Sequence, residues 1–198
     1  MLKKILLSSV LLFSVGLAGC TNNAAAEEPT EDTIETAESV DAPEAAPAIT
    51  KLDVEAAQEE WAESIVAIGE ASLISEDAAR EEAENVLDTL YNYDYGTVLF
   101  KPTKASEVPF RSTREDALSY FVGGDIEEDT GFALEPWTDV RFENHDTILN
   151  GDNAVASGIY YFTSGETEEE VRVEYTFGYI QDEDGNLRIN VHHSSVPF

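Results

Sequence analysis

Cysteine is all but missing from this sequence: Cys20 is the single thiol in 198 residues. No disulfide can close within the chain, and if Cys20 is consumed by the modification described below, no thiolate remains for catalysis or metal binding. Histidine is scarce too, with His145, His192 and His193 the whole complement. A zinc site needs three or four His, Cys or carboxylate ligands converging on one point, and two adjacent histidines on a strand point to opposite faces. Carboxylates abound, which leaves room for a hard cation, but none of their spacings matches an EF-hand loop. A glycine-rich phosphate loop and a Gly-x-Ser-x-Gly nucleophile elbow are both missing. These shortages point to a metal-poor pocket, and no cofactor is expected.

Basic residues are the next shortage. Eleven Lys and Arg stand against 41 Asp and Glu, for a net charge of −30. Such a surface repels nucleic acid and anionic lipid headgroups, so neither is expected as a partner. The excess suits an exported protein that stays soluble in salty water, where counter-ions screen its self-repulsion. It names no partner by itself. It also offers nothing to an anion, so any anion site has to be built locally.

A long apolar run begins at Ile5 and ends at Val15, too short to span a bilayer as a mature helix. Lys3 and Lys4 precede it and Leu17-Ala-Gly-Cys20 follows. This is the pattern of a secretory signal ending in a lipobox. It predicts a signal peptide over 1–19, cleavage before Cys20, and a lipid on the Cys20 thiol that anchors the exported chain to a membrane. Loss of the leader removes Lys3 and Lys4 and no acid, leaving the mature chain two charges more negative. Asp after the cysteine would signal inner-membrane retention; Thr21 directs the protein to the outer membrane of a cell that has one. Residues 20–50 are mostly Ala, Glu, Pro and Thr, with no aromatic and no basic side chain. They bury too little apolar surface to offset the entropy of ordering and are expected to form a disordered acidic tether.

The folded domain is expected over 51–198. Leu52 to Ala71 has helical periodicity, with Trp61, Ile65 and Ile68 on one stripe. Ser75 is an N-cap for a second helix whose buried stripe is Ala79, Ala83, Val86, Leu87 and Leu90. Tyr91, Tyr93 and Tyr95 follow and are read as core. Ser112-Thr-Arg-Glu115 has the form of a capping box and opens a third helix closed by Gly123-Gly124. The acidic loop Asp125 to Asp129 is expected to be solvated. From Trp137 onward the pattern changes to strands, with turns at Asn150-Gly-Asp-Asn153 and Asp182-Glu-Asp-Gly185 and a bend or bulge at Gly158. Between Glu170 and Gln181, Val171, Val173, Tyr175, Phe177 and Tyr179 alternate with more polar residues. Helices followed by an antiparallel meander predict an α+β fold, with helices packed on one face of a curved sheet. About 145 residues suffice for one core.

The last eleven residues, Arg188 to Phe198, read as a final strand. Strict two-residue alternation puts Ile189, Val191, His193 and Ser195 on one face and Asn190, His192 and Ser194 on the other. If the apolar face looks inward, it ends in an imidazole and a hydroxyl, the layout of a greasy pocket with a polar end.

His192-His-Ser-Ser195, Phe100-Lys-Pro-Thr103 and Ser119-Tyr-Phe121, taken in order, resemble the iota-class carbonic anhydrases. The resemblance runs from about Ala83 to Phe198. It implies a cone-shaped fold like nuclear transport factor 2 and the calmodulin-kinase association domain, and it implies reversible hydration of carbon dioxide to bicarbonate. By position it assigns catalysis to Thr103, Tyr120, His193 and Ser195, and some members are described as working without metal. It also implies a homodimer paired through the exposed face of the sheet. The same fold hosts cyclases, isomerases and non-catalytic binding or oligomerisation modules, so fold alone does not decide among them. A cyclase needs a larger cavity with a carboxylate on its wall, and a structural module needs a pocket filled by side chains.

Overall fold

The computed structural model describes residues 48–197. The expected signal peptide, Cys20 and nearly all of the expected tether lie outside them. The packed chain begins slightly before the expected boundary: Ile49 is buried and its N–H donates to the Gly151 carbonyl at 3.0 Å. Among the described residues no helix is long and apolar enough to cross a membrane.

Helix α1, Lys51–Ser72, starts at a reciprocal cap in which Thr50 and Asp53 satisfy each other's backbone N–H. Its stripe of Val54, Trp61, Ile65 and Ile68 is buried. Helix α2, Glu76–Leu90, is capped by Ser75 and buries the five residues expected of it. Helix α3, Arg114–Val122, is capped one residue later than the sequence suggested. Thr113 pairs with Asp116, displacing the Ser112–Glu115 pair. Of the three tyrosines after α2, Tyr91 is fully buried, while Tyr95 is 65 % exposed with the Arg188 guanidinium over its ring.

The sheet has five strands: β1 Leu99–Lys101, β2 Trp137–Asn150, β3 Asn153–Ser164, β4 Glu170–Gln181 and β5 Leu187–Ser195. Their spatial order is β1-β5-β4-β3-β2, with β1 parallel to β5 and the other pairs antiparallel. The helices pack on one face of the sheet. Trp61 of α1 sits at the middle of that layer, edge-on to Phe142, Tyr160, Phe162 and Phe177 with centroids 5.4 to 6.4 Å away.

Two bulges shape the sheet where the sequence carries glycine. The β2 register shifts between Asn144 and Asp146, opposite Gly158. A Cβ on Gly158 would fall 2.2 Å from the Glu143 carbonyl oxygen, so only glycine fits this approach. The second bulge is on β5. Tyr179 pairs with Ile189 and Gly178 with Val191, which leaves Asn190 as an extra residue. Ile189 faces the core before the bulge; His192 and Ser194 face it afterwards. The expected alternation holds on each side of Asn190 but changes phase across it.

Candidate active site

The phase change decides which residues meet. Strand β1 lies beside β5 with Phe100 opposite His192 and Lys101 opposite His193. Pro102 follows the strand and Thr103 comes next. On the inner side Thr103 donates its hydroxyl proton to Ser194 Oγ at 2.8 Å. Tyr120, from α3, lies nearby, its hydroxyl accepting from the Lys104 N–H at 3.5 Å. Thr103, Tyr120, His192 and Ser194 share one cavity of about 210 Å³, together with Tyr160 of β3. Its other walls are mainly apolar, including Phe100, Phe132, Trp137, Phe162 and Val173.

The expectation that His193 and Ser195 line the interior is overturned. His193 is exposed, and Ser195 reaches Glu174 on the outer face at 3.4 Å. The cause is the single extra residue at Asn190, which exchanges the two faces from Val191 onward. Thr103 and Tyr120 line the cavity, and the β5 residues that line it with them are His192 and Ser194, not His193 and Ser195. The signal for this exchange was Gly178, a glycine inside an otherwise apolar, aromatic strand, which marks a bulge or close backbone approach.

Burial sets the protonation of the site. Desolvation pushes His192 well below its ordinary value, and the neighbouring His193 charge adds to this, so the ring is neutral. Desolvation raises the Tyr120 hydroxyl to about 12, opposed weakly by the hydrogen bond from Lys104. Tyr160 is likewise raised by burial, with the Ser194 hydroxyl partly opposing. At neutral pH the cavity therefore presents protonated hydroxyls and a neutral imidazole. Glu135 is the one carboxylate among its lining residues and Lys104 the one ammonium.

The loop bearing Thr103 is pinned by the acidic segment expected to be solvated. Arg111 is fully buried, its Nη2 2.5 Å from Asp129 and 3.5 Å from Glu128. Asp129 also accepts from the Ser119 hydroxyl, one residue before Tyr120. The Glu128 carboxylate accepts from the backbone N–H groups of Ser106, Glu107 and Val108 at 2.8 to 2.9 Å. These contacts hold it down at about 2. Capture of Arg111 and of free backbone donors is the physical reason Glu128 and Asp129 turn inward, while Asp125 and Glu127 stay exposed as expected. The 102–111 segment and α3 are thereby tied to each other, which fixes Thr103 relative to Tyr120.

A wider groove, of about 640 Å³, runs along α1 and the edge strand β2. Glu55, Glu59, Glu63 and Asp139 border it. It is open and acidic, and it would repel an anion. Among the described residues no group of three His, Cys, Asp or Glu side chains is placed to hold a metal ion.

Residues 52–196 match the family model described as metal-independent carbonic anhydrase. A metal-independent carbonic anhydrase of Nostoc sp. (strain PCC 7120 / SAG 25.82 / UTEX 2576) is 41 % identical over 155 residues, covering 76 % of this chain and 75 % of the relative. The crystal structure of a cyanobacterial iota-carbonic anhydrase complexed with bicarbonate superposes with a TM-score of 0.75 at 40 % identity. That match covers 79 % of this chain and 98 % of the other.

Proposed function

The chain belongs to the metal-independent, iota-class carbonic anhydrases, and we propose that it carries out the reversible hydration of carbon dioxide in the cavity shared by Thr103, Tyr120, His192 and Ser194. The observation that carries the choice of site is the 2.8 Å contact between Thr103 and Ser194 inside a largely apolar pocket. Apolar walls suit carbon dioxide, and hydroxyl donors suit the charge that develops as water adds to it. Because Thr103 spends its proton on Ser194, the Ser194 O–H is directed onward, to the Tyr160 oxygen and to a substrate oxygen that takes its place. Tyr120, accepting from Lys104, keeps its own proton for the same purpose. Donors already in place stabilise developing negative charge without reorganising.

The nucleophile is water. Its oxygen bonds to carbon, one C=O bond opens, and a proton is released. The neutral, buried His192 is a poor acceptor for it at neutral pH. A water proton becomes as acidic as carbonic acid once the C–O bond has formed, so a carboxylate at the mouth such as Glu135 can receive it and pass it to solvent. A cavity of about 210 Å³ is smaller than the ~300–1,000 Å³ typical of sites for drug-sized ligands. That weighs against a cyclase of multi-ring substrates, and an open cavity weighs against a purely structural module. Stopped-flow hydration assays before and after exhaustive chelation test the proposal. Activity that survives removal of metal supports it, whereas inactivity reversed by one specific ion contradicts it.

Two further features are proposed from sequence. The chain is exported and lipid-anchored through Cys20, so Cys20→Ala releases it from the membrane fraction; unchanged fractionation sinks the anchor. It forms a homodimer through the outer sheet face, where Val155, Ile159, Ile180 and Val191 are only partly covered. Light scattering that returns a monomer mass at micromolar concentration removes the dimer.

A further inference from the structure

Three buried side chains from separate parts of the fold stand in a row. Trp61 lies on α1, Tyr91 follows α2, and His192 lies on β5. Trp61 Nε1 is 3.0 Å from the Tyr91 hydroxyl oxygen, and that oxygen is 2.8 Å from His192 Nδ1. We infer that Tyr91 and Trp61 are positioning residues that hold His192 as a neutral Nε2–H hydrogen-bond donor for the substrate oxygens. The donor role rests on the cavity being the carbon dioxide site.

The direction of each bond follows from what the groups can do. An indole nitrogen only donates, so the Tyr91 oxygen accepts from Trp61. The Tyr91 proton is then free to go to His192 Nδ1. The reverse arrangement, with Nδ1 donating, strands both the Tyr91 proton and the Nε2 lone pair in a buried site, and unpaired buried polar groups are costly. With Nδ1 as acceptor, the single proton of the neutral ring resides on Nε2.

Nε2 is buried and has no hydrogen-bond partner in the protein, although His192 lines the cavity. The ring is held by its neighbours. Phe100 stacks on it at 4.5 Å, and Phe177 and Trp61 meet it edge-on at 4.2 and 5.5 Å. Tyr91 is itself stacked against Tyr93 at 5.9 Å. A fixed, uncharged N–H can stabilise a developing oxyanion without itself changing protonation. Trp61 thus has a role besides filling the core: its N–H occupies the Tyr91 oxygen and sends the Tyr91 proton toward the imidazole.

Long-range ¹H–¹⁵N correlation spectra of the ¹⁵N-labelled protein read the tautomer directly, with and without bicarbonate. The expected result is a neutral ring with its proton on Nε2 and an Nε2–H signal that shifts on adding bicarbonate. Tyr91→Phe, nearly isosteric, should redistribute the tautomers and lower kcat about 10- to 100-fold, by analogy with the loss when a partner that orients a metal-bound histidine is removed. Trp61→Phe should move both in the same direction by less. A wild-type ring protonated on Nδ1 overturns the inference, as does a folded Tyr91→Phe protein that keeps both tautomer and rate. Bicarbonate that shifts Thr103 and Tyr120 signals but not His192 overturns the donor role. If bicarbonate shifts none of the three, the choice of site has failed, and the ligand-free tautomer still decides whether Tyr91 positions the ring.

Discussion

A methyl group on Gly178 would lie 2.9 Å from the Val191 Cβ, closer than real Cβ contacts allow. The Asn190 side-chain oxygen would be 2.8 Å away. The bulge that turns His192 inward therefore needs glycine on the neighbouring strand. Gly178→Ala should cost about 1–3 kcal/mol, the usual range for overpacking. It should also depress carbon dioxide hydration by disturbing the β4–β5 register. Urea denaturation and initial rates check this together, and a variant matching wild type in both would show that the bulge tolerates a side chain.

The Arg111–Asp129 pair makes a separate prediction about stability. Arg111 has no exposed surface and Asp129 is 2 % exposed. Asp129→Asn leaves a buried guanidinium with weaker compensation, and breaking such a pair by removing one partner costs about 3–5 kcal/mol. The Ser119 hydroxyl loses its carboxylate partner in the same step. A loss under about 1 kcal/mol in denaturant titration would mean that Glu128 alone can balance Arg111.

Much of this fold was legible from periodicity and end signals. The buried stripe of α2 and the span of β4 follow directly from spacing. The α3 cap was displaced by one residue because the Ser and Thr are adjacent and either can cap. The inward turn of Glu128 and Asp129 was not legible. Its cause is a buried Arg111 that is distant in sequence from any clear core pattern. The site was half legible for a related reason. Thr103 and Tyr120, which line the cavity, were indicated by the family resemblance and not by periodicity, while His192 and Ser194 depend on a single inserted residue. Strand alternation carries no error signal when one residue is added; only Gly178, on another strand, marked the place.

Two of the shifted groups, His192 and Glu128, make the fold less stable as pH falls. His192 is neutral in the fold with its value well below 6.5, whereas the unfolded chain gains that proton near 6.5. Its contribution is full above that pH and drains as pH falls. Glu128 is held at about 2 against an ordinary 4.5, so its contribution is full above 4.5 and is lost as pH falls toward 2. Protonating the acidic surface relieves self-repulsion and works the opposite way, so the useful quantity is the gap between wild type and a variant. The gap to Glu128→Gln should be constant above about pH 5 and should close toward pH 2. A gap that widens on acidification would contradict the assignment.

The most direct test of the bulged register is one stopped-flow comparison on chelated, metal-analysed protein. Carbon dioxide hydration is measured for wild type and for His192→Ala, His193→Ala, Ser194→Ala and Ser195→Ala side by side. The bulge predicts that the variants at 192 and 194 lose about 10²–10³ in kcat, as when one transition-state donor is removed. Those at 193 and 195 should stay within about twofold of wild type, as surface substitutions do. Greater losses at 193 and 195 than at 192 and 194 would contradict it.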